Sequence, residues 1–268
     1  MKRTVAVFLG AALVVAGALE AQVSVSGAKM SFSSGSETVP GFIAAPNDAV
    51  RKPAVVVIQE WWGLNDFIRE KVDFFARQGY VALAPDLYRG QTATDPDTAH
   101  QLMRGLPEDR AMRDLRGAVA YLQARADVDP KRIAVVGWCM GGGYSLSLAL
   151  AEPSLAGAVI YYGRLVTDDA AIKGLRVPLL GNFAGEDKGI PVESVQEFER
   201  KAKAAGKKVD FKVYPGAGHG FASSKDPQTF RAEDAKDADA RTNAFFEKVF
   251  KAAGKPAPKK EPAPKKTG

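Results

Sequence analysis

VVGWCMGGGYS, residues Val135–Ser145, runs from β-branched residues through a tryptophan into a glycine-flanked turn and a small-residue segment. Its approach, RIAVVG (Arg132–Gly137), has the continuous apolar character of a strand buried on both faces. Its exit opens a predicted helix over Gly141–Ala151. At the bend sits Cys139, the one cysteine of the chain, with Gly137 two residues before it and Gly141 two after. A strand that turns sharply into a helix lifts one side chain above the sheet and crowds the backbone on either side, which calls for glycines at those places. Gly142 and Gly143 let the helix pack close. The helix starts under the thiol, so its N-terminal partial charge favours a negative sulfur. The N–H of Met140 is placed to form half of an oxyanion hole. No Gly-x-Ser-x-Gly occurs, so no serine competes for the role. Taken alone, the turn also fits an inert buried cysteine.

Outward from this turn the chain alternates between strand and helix patterns. Val23–Phe32 and Thr38–Ala44 predict an N-terminal hairpin around SSGS. Pro53–Gln59 (PAVVVIQ), Tyr80–Tyr88, Leu155–Gly163, Pro178–Gly185 and Val209–Tyr214 read as further strands. Helical spacing covers Asn65–Gln78, Asp109–Ala126, Val192–Ala205 and Arg231–Ala253, and the polar stretch Arg89–Pro107 carries a short helix. Asp129-Pro130 reads as a lead-in to the strand before Cys139. The alternation predicts an α/β fold with a mostly parallel central sheet and helices on both faces.

Ligand sites in such sheets lie beyond the carboxyl ends of the strands. Four chemically capable residues fall there: Glu60 after PAVVVIQ, Cys139 after RIAVVGW, Asp187 after PLLGNFAG and His219 after VDFKVYPGAG. His219 stands in a glycine-rich loop that lets a general base reach a nucleophile. The other histidine, His100, has no strand before it. An acid at Asp187 or Glu186 would fix the imidazole's tautomer, and the chain order nucleophile, acid, histidine is that of α/β hydrolases. A carboxylate at Glu60 would disfavour the thiolate by like charge. Trp61 and Trp62 read as pocket walls.

Composition sets the outer bounds. The formal charge is +6, but the tail Lys255–Gly268 supplies four of those charges and the first 21 residues one, so the body carries no basic face for nucleic acid. The start, MKRTVAVFLGAALVVAGALEAQ, has the layout of a signal peptide over residues 1–21, cleaved after Ala18 or Ala21, which predicts export to a bacterial periplasm or beyond, with no stable membrane insertion afterwards. An uncleaved anchor is the competing reading. No cysteine directly follows the segment, which excludes a lipoprotein anchor, and an exported protein with one thiol has no internal disulfide. The expected organisation is one domain over residues 22–253 and a disordered Lys/Pro-rich tail over 254–268. A monomer without metal or cofactor is expected.

Five separated motifs are similar, in order, to those of the dienelactone hydrolase family (carboxymethylenebutenolidases): QEWWGLN (59–65), APDLY (84–88), GWCMGGGYS (137–145), GEDKGIP (185–191) and YPGAGHGF (214–221). The resemblance spans roughly Val39 to Val249. It implies the α/β-hydrolase fold, a Cys139–His219–Asp187 triad with Asp187 chosen over Glu186, and hydrolysis of a small-molecule ester or lactone through an acyl-thioester. It further implies that Glu60 manages the thiol proton, that the N–H of Trp61 is the second oxyanion donor, and that Trp62, Tyr88 and Arg89 contact substrate. Family members clamp a substrate carboxylate with two arginines; the position of the second, four residues after the histidine, is Ser223 here, and the sequence does not place Lys225 or Arg164 as a substitute. The rival readings are a redox thiol, weakened by the lack of a resolving cysteine, and a non-catalytic binding protein.

Overall fold

The computed structural model describes residues 25, 27–47 and 50–254. The segment read as a signal peptide and the tail beyond residue 254 lie outside the described residues. Among the described residues, eight strands form one sheet in the order β1-β2-β4-β3-β5-β6-β7-β8. β1 (Ala28–Ser34) and β2 (Glu37–Ala44) make the expected hairpin, closed at Gly35 with φ +60°. β2 joins the sheet antiparallel to β4 (Val81–Pro85). From β4 onward every pairing is parallel, through β3 (Lys52–Ile58), β5 (Val128–Trp138), β6 (Gly157–Tyr161), β7 (Leu179–Ala184) and β8 (Val209–Tyr214). This is the α/β-hydrolase architecture.

The apolar strands earn their central places by feeding two cores. In β3, Ala54, Val56 and Ile58 face one side and Val55 and Val57 the other, all fully buried. The first side is covered by α3 (Glu108–Ala124), α4 (Met140–Ala151), α5 (Asp169–Gly174) and α6 (Val192–Ala204). The second is covered by α1 (Asp66–Arg77) and α7 (Ala232–Ala253), whose Phe75, Phe246 and Phe250 pack ring against ring. The short helix expected in the polar stretch is α2 (Pro96–Arg104), started by Asp95, whose side chain accepts from the N–H of Thr98.

Two expectations need correction. Asp129 and Pro130 lie within β5, which begins at Val128 and shifts register against β3 between Lys52 and Ala54. A proline is tolerated there because the ladder is already interrupted. Helix α5, absent from the sequence reading, holds six residues and is capped by Asp168 through the N–H of Ala171.

Candidate active site

The turn after β5 is strained in the way the glycine pattern requires. Cys139 has φ +53° and ψ −116°, a conformation that costs a non-glycine residue energy and persists where its surroundings enforce it. Its N–H donates to the carbonyl of Tyr161 at 3.0 Å, and its carbonyl accepts from Gly142 at 3.0 Å and Gly143 at 3.2 Å. A Cβ at Gly141 would stand 2.5 Å from the carbonyl oxygens of Ile58 and Gln59, and one at Gly137 would overlap the carbonyl of Gly141. The first turn of α4 can sit against the end of β3 only because those side chains are missing.

His219 lies over this turn. Its Nε2 is 3.1 Å from Cys139 Sγ and its Nδ1 is 2.7 Å from Asp187 Oδ2. Asp187 is held from behind, because Oδ1 accepts from the N–H groups of Gly189 at 2.8 Å and Ile190 at 3.0 Å. Burial works against a charged Asp187, but the His219 hydrogen bond, its charge and the two amides outweigh it and keep the carboxyl below the usual carboxylate range. Burial likewise works against a charged imidazole. The hydrogen bonds and charges of Asp187 and Cys139 overcome it and push His219 up to about 10. Thiol, imidazole and carboxylate thus form a continuous relay suited to moving one proton off sulfur. The imidazole takes Asp187 and not Glu186, the neighbouring acid, as its partner at Nδ1, and Glu186 donates its backbone N–H to the carbonyl of Ala217.

Glu60, at the end of β3, is 3% exposed. Oε2 accepts from Ser223 Oγ at 2.9 Å and Oε1 from the Tyr162 hydroxyl at 3.5 Å. Burial pushes its carboxyl up to about 7, against the pull of Ser223, of the His219 charge and of Tyr162. The unfolded chain therefore loses this proton first, near 4.5, and stability falls as pH rises from there to about 7. The gap corresponds to about 3 kcal/mol. Glu60→Gln, which keeps both hydroxyl partners, is expected to be more stable than the wild type by up to that amount at pH 8 and equal to it at pH 4, in urea melts at the two pH values.

Comparison with known proteins fits this geometry. The family model for the dienelactone hydrolase family matches residues 39–250. The chain belongs to the dienelactone hydrolase family. A Methylorubrum extorquens protein named as a candidate carboxymethylenebutenolidase is 34% identical over 222 residues, 78% of this chain and 76% of its own length. An Escherichia coli K12 protein of the same name is 31% identical over 231 residues, 81% of this chain and 84% of its own. The crystal structure of a candidate dienelactone hydrolase from Klebsiella pneumoniae superposes with a TM-score of 0.77 at 29% identity, covering 84% of this chain and 99% of that one. As a dienelactone hydrolase family member the protein is a carboxylic ester hydrolase, directed at ester or lactone bonds.

Against the family pattern, the remaining residues divide. Trp61 and Trp62 are half-buried, with ring centroids 4.9 Å apart, beside Glu60. Lys225 Nζ lies 4.7 Å over the Trp62 ring, and the His100 and Trp61 rings meet at near right angles with centroids 4.7 Å apart. Met140 opens α4, so its N–H is among the first-turn amides that a helix leaves without a partner. Tyr88 is buried behind Met140, its hydroxyl 3.4 Å from Sδ. Arg89 has other partners. Its guanidinium is 2.8 Å from Glu37 on β2 and 2.7 Å from the buried Asp114 on α3, and so ties those elements together. Three residues at the site escaped the sequence reading: Tyr162, whose ring lies 5.1 Å from that of His219, Ser223 as a partner of Glu60, and His100.

Proposed function

We propose that Cys139 is the nucleophile of this ester or lactone hydrolase. The observation that carries the proposal is the unbroken line from Cys139 Sγ to His219 Nε2 (3.1 Å) and from His219 Nδ1 to Asp187 Oδ2 (2.7 Å). With the sulfur's proton held on Nε2, as the raised His219 favours, Cys139 attacks the acyl carbonyl, and the oxyanion is met by the N–H groups of Met140 and Trp61. The tetrahedral intermediate collapses as His219 returns the proton to the departing alkoxide, leaving an acyl-thioester on Cys139. His219 then takes a proton from water, hydroxide attacks the thioester, and the acid leaves as sulfur recovers its proton partner. Asp187 supports the imidazolium while Nε2 carries the sulfur's proton and, once that proton has passed to the alkoxide, holds the tautomer in which Nε2 accepts from water.

The substrate reading follows from the arginines. One is committed to Glu37 and Asp114, and the place of the other holds Ser223, which is bonded to Glu60. The arginine pair that would clamp a carboxylate is therefore not assembled, and the site is read as one for esters or lactones that need no such clamp. The N-terminal segment adds export to the proposal.

Acid quench in the first turnover of an activated ester, followed by peptide mass spectrometry, is expected to find the acyl group on the peptide that contains Cys139. An acyl group on another residue, or an unmodified Cys139 during a product burst, overturns the assignment.

A further inference from the structure

We propose that Ser223 is a positioning residue: with Tyr162 it cradles Glu60 by hydroxyl groups alone, so that the charge of Glu60, and with it the activity of Cys139, is set by pH and not by a fixed cation. The inference rests on the reading of Cys139 as nucleophile and concerns the regulation of that same site. Its ground is geometric. Ser223 is 3% exposed, sits 163 residues from Glu60 in the chain, and spends its hydroxyl on Oε2 at 2.9 Å. Tyr162, fully buried and held at φ +37°, approaches Oε1 from the end of β6. Among the described residues no lysine, arginine or histidine forms an ion pair with this carboxyl.

A buried carboxyl with a cation against it stays charged across the working pH range, whereas hydroxyl partners can serve it in either form. A hydroxyl gives a hydrogen bond to the carboxylate or takes one from the carboxylic acid. The cradle therefore keeps Glu60 in one place while leaving its proton free to come and go. The charged and titratable groups that face Glu60 are few. His219 and Lys225 reach it from the loop after β8, Tyr162 from the end of β6, and Cys139 is felt alongside Glu60 by the Tyr162 hydroxyl. The Lys225 ammonium is parked over Trp62 and acts on Glu60 only through space. Burial outweighs all of these and pushes the carboxyl up to about 7.

The charge matters to the chemistry on the neighbouring turn. As a neutral acid, Glu60 adds no negative charge beside the sulfur. Once ionised it opposes both the thiolate and the oxyanion that forms on the substrate. Activity is thus highest while Glu60 keeps its proton and declines as pH rises through about 7.

The test compares the wild type with Ser223→Ala, Ser223→Thr and Glu60→Gln by two readouts. The first is the pH profile of kcat/KM with a neutral activated ester. The second is the infrared band of a protonated buried carboxyl, identified by its loss in Glu60→Gln and titrated without substrate. Ser223→Ala removes the donor that favours the charged form, so both the band and the descending limb are expected to move up by about 1 pH unit. Ser223→Thr keeps the hydroxyl and is expected to leave both in place, and Glu60→Gln is expected to lose the limb. A folded Ser223→Ala with unmoved band and limb overturns the proposal. A band that moves while the limb stays overturns the link to turnover. The infrared titration reads Glu60 even if Cys139 is not the nucleophile, so a failure here is distinguishable from a failure of that assignment.

Discussion

Cys139→Ala is expected to lower kcat/KM for activated esters by at least about 10⁴-fold while leaving the thermal unfolding midpoint within a few degrees of the wild type. The variant keeps His219, Asp187, Glu60 and the backbone of the turn, so substrate still meets the pocket and the oxyanion donors. On the proposed mechanism it has lost the one atom that forms the covalent intermediate. What is left is attack by water in a prepared site, which in triad enzymes retains only a small part of the rate. Stability changes little because the half-buried sulfur contributes few apolar contacts, and alanine at φ +53° meets the same strain as cysteine. Steady-state kinetics on the purified variant decides the matter, and turnover within tenfold of the wild type would falsify the assignment of the nucleophile.

The fold was legible because its determinants are local. Ala54–Ile58 and Ile133–Val136 are apolar without interruption, which only a strand covered on both faces can use. Gly137, Cys139 and Gly141 mark the bend for a reason visible in the structure, namely backbone against backbone. What escaped was local structure without a local signal. Helix α5 has six residues, too few for an apolar stripe to repeat, and its Asp168 cap resembles any loop aspartate.

The site divides in the same manner. Glu60, Cys139, Asp187 and His219 each sit just past a strand, so the rule for parallel sheets gathered them at one edge before any distance was known. Ser223 and Tyr162 touch Glu60 across 163 and 102 residues, and no pattern near either one encodes that meeting. Ser223 was legible only as an absence, the place where an arginine was expected. Arg89 shows the complementary case. Its local context, PDLYRG, points toward the site, but Glu37 and Asp114 arrive from other elements and claim its guanidinium. Nearest-neighbour chemistry decides such residues, and it depends on packing that periodicity does not reach.

Asp187→Asn is expected to cost about 10⁴-fold in kcat/KM near neutral pH with the backbone unchanged. The argument turns on which oxygen can be replaced. Oδ1 accepts from the N–H groups of Gly189 and Ile190, and an amide nitrogen cannot take its place there without setting donor against donor. The asparagine oxygen therefore stays with those amides, and its NH₂ faces Nδ1 of His219, where the Oδ2 acceptor lay at 2.7 Å. Nδ1 must now accept, which puts the imidazole proton on Nε2, the nitrogen that faces Cys139 Sγ at 3.1 Å. In the wild type the Nε2 proton is the sulfur's own, balanced by Asp187 across Nδ1–H; in the variant a neutral imidazole with its proton on Nε2 has no site left to take the thiol's. The same substitution removes a leading hydrogen bond among those that hold His219 near 10, so the imidazole is expected to titrate well below its wild-type value. In the wild type the raised histidine stabilises the fold fully below its ordinary value of 6.5, and that contribution is lost as pH rises through about 10. The variant should lack this contribution at low and neutral pH, and the gap in stability between the two proteins should narrow toward pH 10. Proton NMR titration of His219, with His100→Gln to clear the spectrum, reads the imidazole directly. An unchanged titration together with near-normal turnover would remove Asp187 from the relay.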